Sequence, residues 1–175
     1  MRHFLRFVLI LLVTAVLWSA WRGGFGADDV MVYRGEKIRL TKAYHDYDEY
    51  KNDPDNIHPS EIERVQRLMI AAPVEHTYLS RLDLFKAVGQ IAFPGYGVGS
   101  GGSRLSDGGV LLAVTIEIPR ANKDRYLVFR ELYGRYELID DFVRAEISYP
   151  FEIRESGGDY VYLQNGKELF RRPRR

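Results

Sequence analysis

Cysteine is absent from the chain. Disulfide staples, thiolate nucleophiles and cysteine-ligated metals are therefore excluded, and the folded part must be stable on its core alone. Histidine is scarce: beyond His3, only His45, His58 and His76 occur, and none share the H-x-x-x-H spacing of a helical zinc pair. No G-K-[ST] follows any glycine run, so the phosphate-gripping lysine of a P-loop is missing. A nucleophile elbow is missing too, because Val98 lies two residues before Ser100 and Leu105 two after Ser103. These absences predict no metal, no cofactor and no nucleotide.

Excess positive charge is also lacking from the body of the chain. Of the 25 basic side chains, three arginines lie in residues 1–27 and four in residues 171–175, which leaves 18 against 24 acids. A body with net charge −6 and a basic end does not offer the basic face that nucleic acid requires, and no nucleic-acid partner is expected.

What is present is concentrated first at the N-terminus. Arg2, His3 and Arg6 precede an apolar run from Phe7 to Trp21, followed by Arg22 and a glycine-rich stretch. A basic start, an apolar middle and small residues afterwards make the layout of an export signal. The 15 residues between Arg6 and Arg22 are short for a span, since roughly 20 cross the hydrocarbon layer. Counting from Phe4 gives 18, enough for a span with some bilayer thinning. Trp18 and Trp21 suit an interfacial aromatic belt, and Asp28 and Asp29 place the remainder outside. The expectation is a bacterial cytoplasmic membrane protein anchored through residues 4–21, its domain facing the periplasm or exterior. The alternative is a protein secreted after cleavage at Gly24-Phe25-Gly26. The predicted organisation is a signal-anchor over 1–22, a linker over 23–29, one α+β domain over 30–172 and a basic tail over 173–175.

Within that domain, VMVYRGEKIRL reads as a hairpin turning at Arg34-Gly35. The polar stretch HDYDEYKNDPDNIHP follows. Its Asp46, Asp48, Asp53 and Asp55 invite a calcium reading, but the glycine and glutamate of an EF-hand loop are missing. Ser60 and Glu63 form a capping box ahead of a helix carrying Ile62, Val65, Leu68, Met69 and Ala72, stopped by Pro73. A second helix starts at Ser80, with Leu82, Phe85 and Val88 on its inner face. Period-two alternation then takes over in VLLAVTIEI, and YLVFREL, YELIDDF, FEIRE, YVYLQ and KELFR continue it. Asn165-Gly166 predicts a type I′ hairpin, and Gly134-Arg135 a type II′ turn. Helices first and a run of strands afterwards predict an α+β fold, two helices packed on a mainly antiparallel, meander-like sheet.

Between helix and strands lies FPGYGVGSGG, with five glycines from Phe93 to Gly102. It matches G-x-G-x-x-G, yet a helix leads in and a strand leads out, the reverse of the order that places phosphate on a helix N-terminus. The segment is expected to be a mobile connection, or alternatively a substrate-covering loop.

A turn at Gly134-Arg135 sets Leu127 opposite Phe142, Phe129 opposite Asp140 and Glu131 opposite Leu138. Asp140 then falls on an apolar face and needs a partner to stay ionised, while Asp141 sits diagonal to Arg130. Asp140, Arg130 and His45 are the candidates for a dispersed hydrolase site. All twelve tyrosines follow residue 30, and Tyr160 and Tyr162 on a predicted strand join Arg171, Arg172, Arg174 and Arg175 as candidate interaction residues. Arg171 is expected opposite Tyr160, within reach of a cation–π contact. The sequence reading is a binding module for an envelope protein, a peptide or a glycan. A hydrolase or a carrier of small apolar ligands is the alternative.

Overall fold

The first hairpin forms where the turn chemistry places it. In the computed structural model, which describes residues 29–53, 55–105, 108–145 and 151–174, β1 (Val30–Tyr33) pairs with β2 (Glu36–Arg39). Arg34 and Gly35 both adopt positive φ, 50° and 80°, the type I′ requirement. The N-terminal segment and Arg175 lie outside the described residues. Among the described residues no helix is long and apolar enough to cross a membrane. The chain divides into two compact units, Met1–Ile62 and Glu63–Arg175.

In the first unit the polar stretch contains a short helix, α1 (Tyr47–Lys51), which no periodicity in the sequence announces. Asp46 caps it by accepting the Glu49 N–H at 2.8 Å. Its purpose is to bury Tyr50, whose ring meets Tyr44 edge-on at 5.2 Å. Ile38, Leu40 and Ile57 are also buried, and Leu40 and Ile57 form an isolated bridge. Asp53 accepts the Tyr44 hydroxyl at 3.0 Å and the Asp55 N–H at 2.9 Å. Of the aspartates singled out by the calcium reading, Asp46 thus caps this segment and Asp53 closes it. Among the described residues no group of three or more potential ligands is placed to hold a metal ion.

The capping box at Ser60 is replaced. Pro59–Glu61 form a 3-10 turn, capped by His58, whose Nδ1 accepts the Ser60 N–H at 3.3 Å. Proline has no N–H to satisfy, so the helical entry is set two residues earlier than S-x-x-E implies. Helix α2 (Ile62–Ile70) then buries Val65 and Met69. Ser80 caps α3 (Arg81–Gly89) as expected, accepting the Asp83 N–H at 3.1 Å. Its inner face is Leu84 and Val88, one turn apart, whereas Leu82 is exposed.

The glycine-rich segment is a strand. β4 (Val98–Arg104) pairs with β5 (Val110–Glu117) along its whole length, from Val98 opposite Ile116 to Arg104 opposite Val110. Glycine is a weak strand former in isolation. Here the partner decides: β5 is apolar on both faces and offers an unbroken backbone ladder. The five-stranded sheet runs β3 (Thr77–Tyr78), β7 (Arg135–Arg144), β6 (Asp124–Leu132), β5, β4, with antiparallel neighbours. A three-stranded antiparallel sheet holds β10 (Lys167–Pro173), β9 (Asp159–Gln164) and β8 (Phe151–Ser156). The fold is therefore mixed α+β with antiparallel sheets, as the pattern of periods predicts.

The small sheet covers one face of the large one. Leu111, Ala113, Tyr126 and Val128 from the large sheet meet Ile153, Tyr160 and Tyr162 from the small one. Burying side chains of this size contributes roughly 1.5–3 kcal/mol each, and this cluster is the main cohesion between the layers. The opposite face carries α2. There Arg125, 4% exposed, forks onto Asp141 at 2.9 and 2.7 Å. Its remaining nitrogen donates to the Met69 and Ala72 carbonyls at 2.7 and 2.9 Å. One guanidinium thus pairs a carboxylate and satisfies the open end of a helix.

Candidate functional site

Two β-bulges decide which charged groups meet. The β6–β7 turn is Tyr133-Gly134, both at positive φ, so Leu132 pairs with Arg135. This type I′ turn, with both central residues at positive φ, replaces the type II′ turn expected at Gly134-Arg135 and moves the register by one residue. Phe129 then lies opposite Leu138, but Val128 lies opposite Asp140, leaving Ile139 as an extra residue. The bulge turns Asp140 and Phe142 toward the small sheet and Asp141 toward the helices. Asp140 consequently shares its face with Tyr126 and Val128, not Leu127 and Phe129, and the partner of Asp141 is Arg125, not Arg130.

The last hairpin repeats the device. Asn165-Gly166 form the expected turn, φ 50° and 75°, and Gln164 pairs with Lys167. Leu169 is then skipped, so Phe170 lies opposite Tyr162 and Arg172 opposite Tyr160. Arg171, expected in that place, pairs with Val161 and forks outward onto Glu168 at 2.7 Å. The bulge is favoured because it seats the Phe170 ring on Tyr162, stacked at 4.4 Å between centroids.

The two bulges together bring Arg172 onto the buried carboxylate of Asp140. The Tyr162 hydroxyl donates to the same Asp140 oxygen at 3.2 Å, and the other oxygen accepts the Asp141 N–H at 3.0 Å. Burial, with Asp140 alongside, pushes the Tyr162 phenol well above its ordinary range. The hydrogen bond to Asp140 likewise raises the Arg172 guanidinium. Arg172 also lies over the Phe142 ring at 4.6 Å. Asp140 has its partners inside the fold, and the group clamps β10 to β7.

The other residues singled out in the sequence scatter around this clamp. Arg130 lies 4.0 Å from Glu155, which also pairs with Arg174 at 3.5 Å. Arg174 sits over Tyr160 at 5.7 Å, supplying the cation–π contact expected of Arg171. Tyr160 and Tyr162 are both buried. His45 belongs to the first unit, where its N–H donates to Glu49 at 3.0 Å.

A concavity of about 470 Å³ lies at the Val98 end of β4, lined by Gly97, Gly99, Thr115, Glu117, Asn122, Lys123 and Asp124 among others. Its parts are pinned. Gly97 donates to Glu117 Oε2 at 3.0 Å, and the Glu117 N–H returns to the Gly97 carbonyl at 3.0 Å. The Gln66 amide on α2 holds the Pro119 carbonyl at 2.8 Å, fixing the β5–β6 loop that forms the rim. Glu117 and Asp124 are direct cross-strand partners, so two carboxylates line one wall, with the Lys123 ammonium and the Asn122 carboxamide on the loop. Sequence reasoning passed over these residues, because E-I-P-R-A-N-K-D matches no catalytic spacing. The one available signal was the neighbouring glycine run. Compared with family models, curated proteins and solved structures, the chain matches none.

Proposed function

We propose that the chain is a binding module of the bacterial envelope, held at the cytoplasmic membrane by residues 4–21 with its folded part facing the periplasm or exterior. Recognition takes place at the concavity beside Gly97, and the partner is an envelope protein, a peptide or a glycan. The observation that carries this reading is the polar hollow lined by Glu117, Asn122, Lys123 and Asp124 and pinned at Gly97 and Pro119, whereas the clamp of Asp140 and Arg172 is closed within the fold. The basic-start, apolar-middle leader supports the tether. The aromatic filling between the sheets, Tyr126, Phe142, Tyr162 and Phe170, supports binding at the surface rather than carriage of an apolar ligand inside.

A photo-crosslinking amino acid at Asn122 of the full chain, expressed in bacterial cells, tests the reading. The expected result is a discrete adduct from the membrane fraction, absent when the label replaces Glu36 in the first hairpin. Recovery of the chain in the cytosolic fraction removes the tether. Identical products from both positions remove the recognition surface.

A further inference from the structure

Two neighbouring loops of the second unit expose large apolar side chains. Leu79 follows Tyr78, whose partner across β3 and β7 is Tyr136, so it stands level with Arg135 at the β6–β7 turn. Arg135 pairs in turn with Leu132, which Tyr133 follows. Leu82 lies in the first turn of α3. All four are exposed, Leu79 by 79%, Leu82 by 64% and Tyr133 by 97%. The other exposed apolar side chains of this unit, Ile70, Val98 and Leu169, are spread over α2, β4 and β10.

Tyr133 is the costly member. Its backbone holds φ 54°, a conformation suited to glycine or asparagine. Among the described residues its side chain makes no hydrogen bond and no ring contact. Nothing inside the fold accounts for a tyrosine in that place, which directs the search for its use outside the chain.

Charge separates the possible occupants. The body of the chain is acidic, yet Arg81 and Lys86 of α3 have no carboxylate partner among the described residues, Arg81 lying over the Phe85 ring at 5.4 Å. The acids at this end are engaged: Asp83 by the Ser80 hydroxyl at 2.6 Å, Glu131 by the Gly134 N–H at 3.1 Å and Glu137 by Arg135 at 3.5 Å. Leucines and a tyrosine flanked by unpaired cations match the boundary between acyl chains and phosphate headgroups. Residues 23–29, seven in number, span at most about 25 Å, so a retained anchor keeps the folded part beside such a surface.

We propose that Leu79, Leu82, Leu132 and Tyr133 insert into the outer leaflet of the membrane that holds residues 4–21, with Arg81 and Lys86 on its phosphates. This rests on the tether reading and adds to it the face that the second unit turns to the bilayer.

The absence of cysteine makes a clean test. Leu82→Cys, Tyr133→Cys and Lys123→Cys, the last at the opposite end of β6, are made singly in the full chain and labelled with an environment-sensitive fluorophore. The chains are reconstituted into vesicles of phosphatidylcholine and phosphatidylglycerol. Labels at Leu82 and Tyr133 are expected to emit to the blue of the label at Lys123 and to be quenched by nitroxide-bearing lipid. Adding Leu79→Ser is expected to weaken both effects. A chain that floats with the vesicles while both labels stay in water overturns the docking and spares the tether. Equal quenching at Lys123 also overturns it. A chain that does not float removes tether and docking together. Shielding without lipid quenching, whether it needs crowded vesicles or native membranes, assigns the patch to a second copy or a protein partner and overturns the proposal.

Discussion

Arg172 and Asp140, 32 residues apart in sequence, form the ion pair that joins the C-terminal strand to the five-stranded sheet. In this sequence neither residue reaches the other unless its own hairpin skips a residue. Removing the acid strands a guanidinium and the Tyr162 hydroxyl in a site built for an anion. Asp140→Ala is expected to lower unfolding stability by about 3 kcal/mol, Asp140→Asn by less, and Tyr162→Phe by about 1 kcal/mol. Urea unfolding followed by near-ultraviolet circular dichroism checks the order. An Asp140→Ala chain as stable as the parent contradicts the clamp.

Arg125 is buried more deeply than Arg172. Arg125→Met leaves Asp141 unpaired and two carbonyls at the end of α2 unsatisfied, at an expected cost of about 3–5 kcal/mol. Arg125→Lys recovers only part of that, because an ammonium cannot reproduce the fork. Hydrogen exchange at the C-terminal turn of α2 reads the local part of the loss.

Tyr133 occupies a left-handed position, φ 54°, with its ring 97% exposed. Asparagine is the residue such a turn prefers before glycine, so Tyr133→Asn is expected to stabilise the chain by about 0.5–1 kcal/mol. A lower urea midpoint in that variant counts against the turn assignment.

Alkaline pH should weaken the fold. Burial raises the phenols of Tyr44, Tyr78, Tyr160 and Tyr162 above their ordinary value of 10.0. The unfolded chain therefore releases these protons first. Their stabilisation is complete below pH 10 and falls as pH rises past it. Tyr162→Phe should flatten the decline in a series of urea midpoints from pH 9 to 11.5. A slope unchanged by that substitution removes Tyr162 from the account.

Both tryptophans, Trp18 and Trp21, lie in the leader. Protein purified from bacterial membranes is expected to show tryptophan fluorescence if the anchor is retained. Emission from tyrosine alone indicates a cleaved leader and a secreted chain.

Much of the fold was legible where the signal was local and periodic. Ser80 capped its helix, Asn165-Gly166 turned its hairpin, and the alternating runs became strands. What escaped was non-local. The glycine segment is a strand only because β5 pairs with it. Tyr50 drives a helix turn in a polar stretch because Tyr44 waits for its ring. A bulge changes no residue type, so nothing in YELIDDF or KELFRR announces that Ile139 and Leu169 are skipped. The need of Asp140 for a partner could be read from its apolar strand, whereas the identity of that partner depended on both bulges.

Those two skipped residues have a hereditary corollary. Each is the residue its strand leaves unpaired, so a descendant lacking Leu169 still sets Phe170 opposite Tyr162 and Arg172 opposite Tyr160, and one lacking Ile139 still sets Asp140 opposite Val128. Losing Arg171 instead turns Arg172 to the outside of the small sheet and leaves a charge without its mate. Shortening by one residue should therefore be inherited at the bulges and purged beyond them.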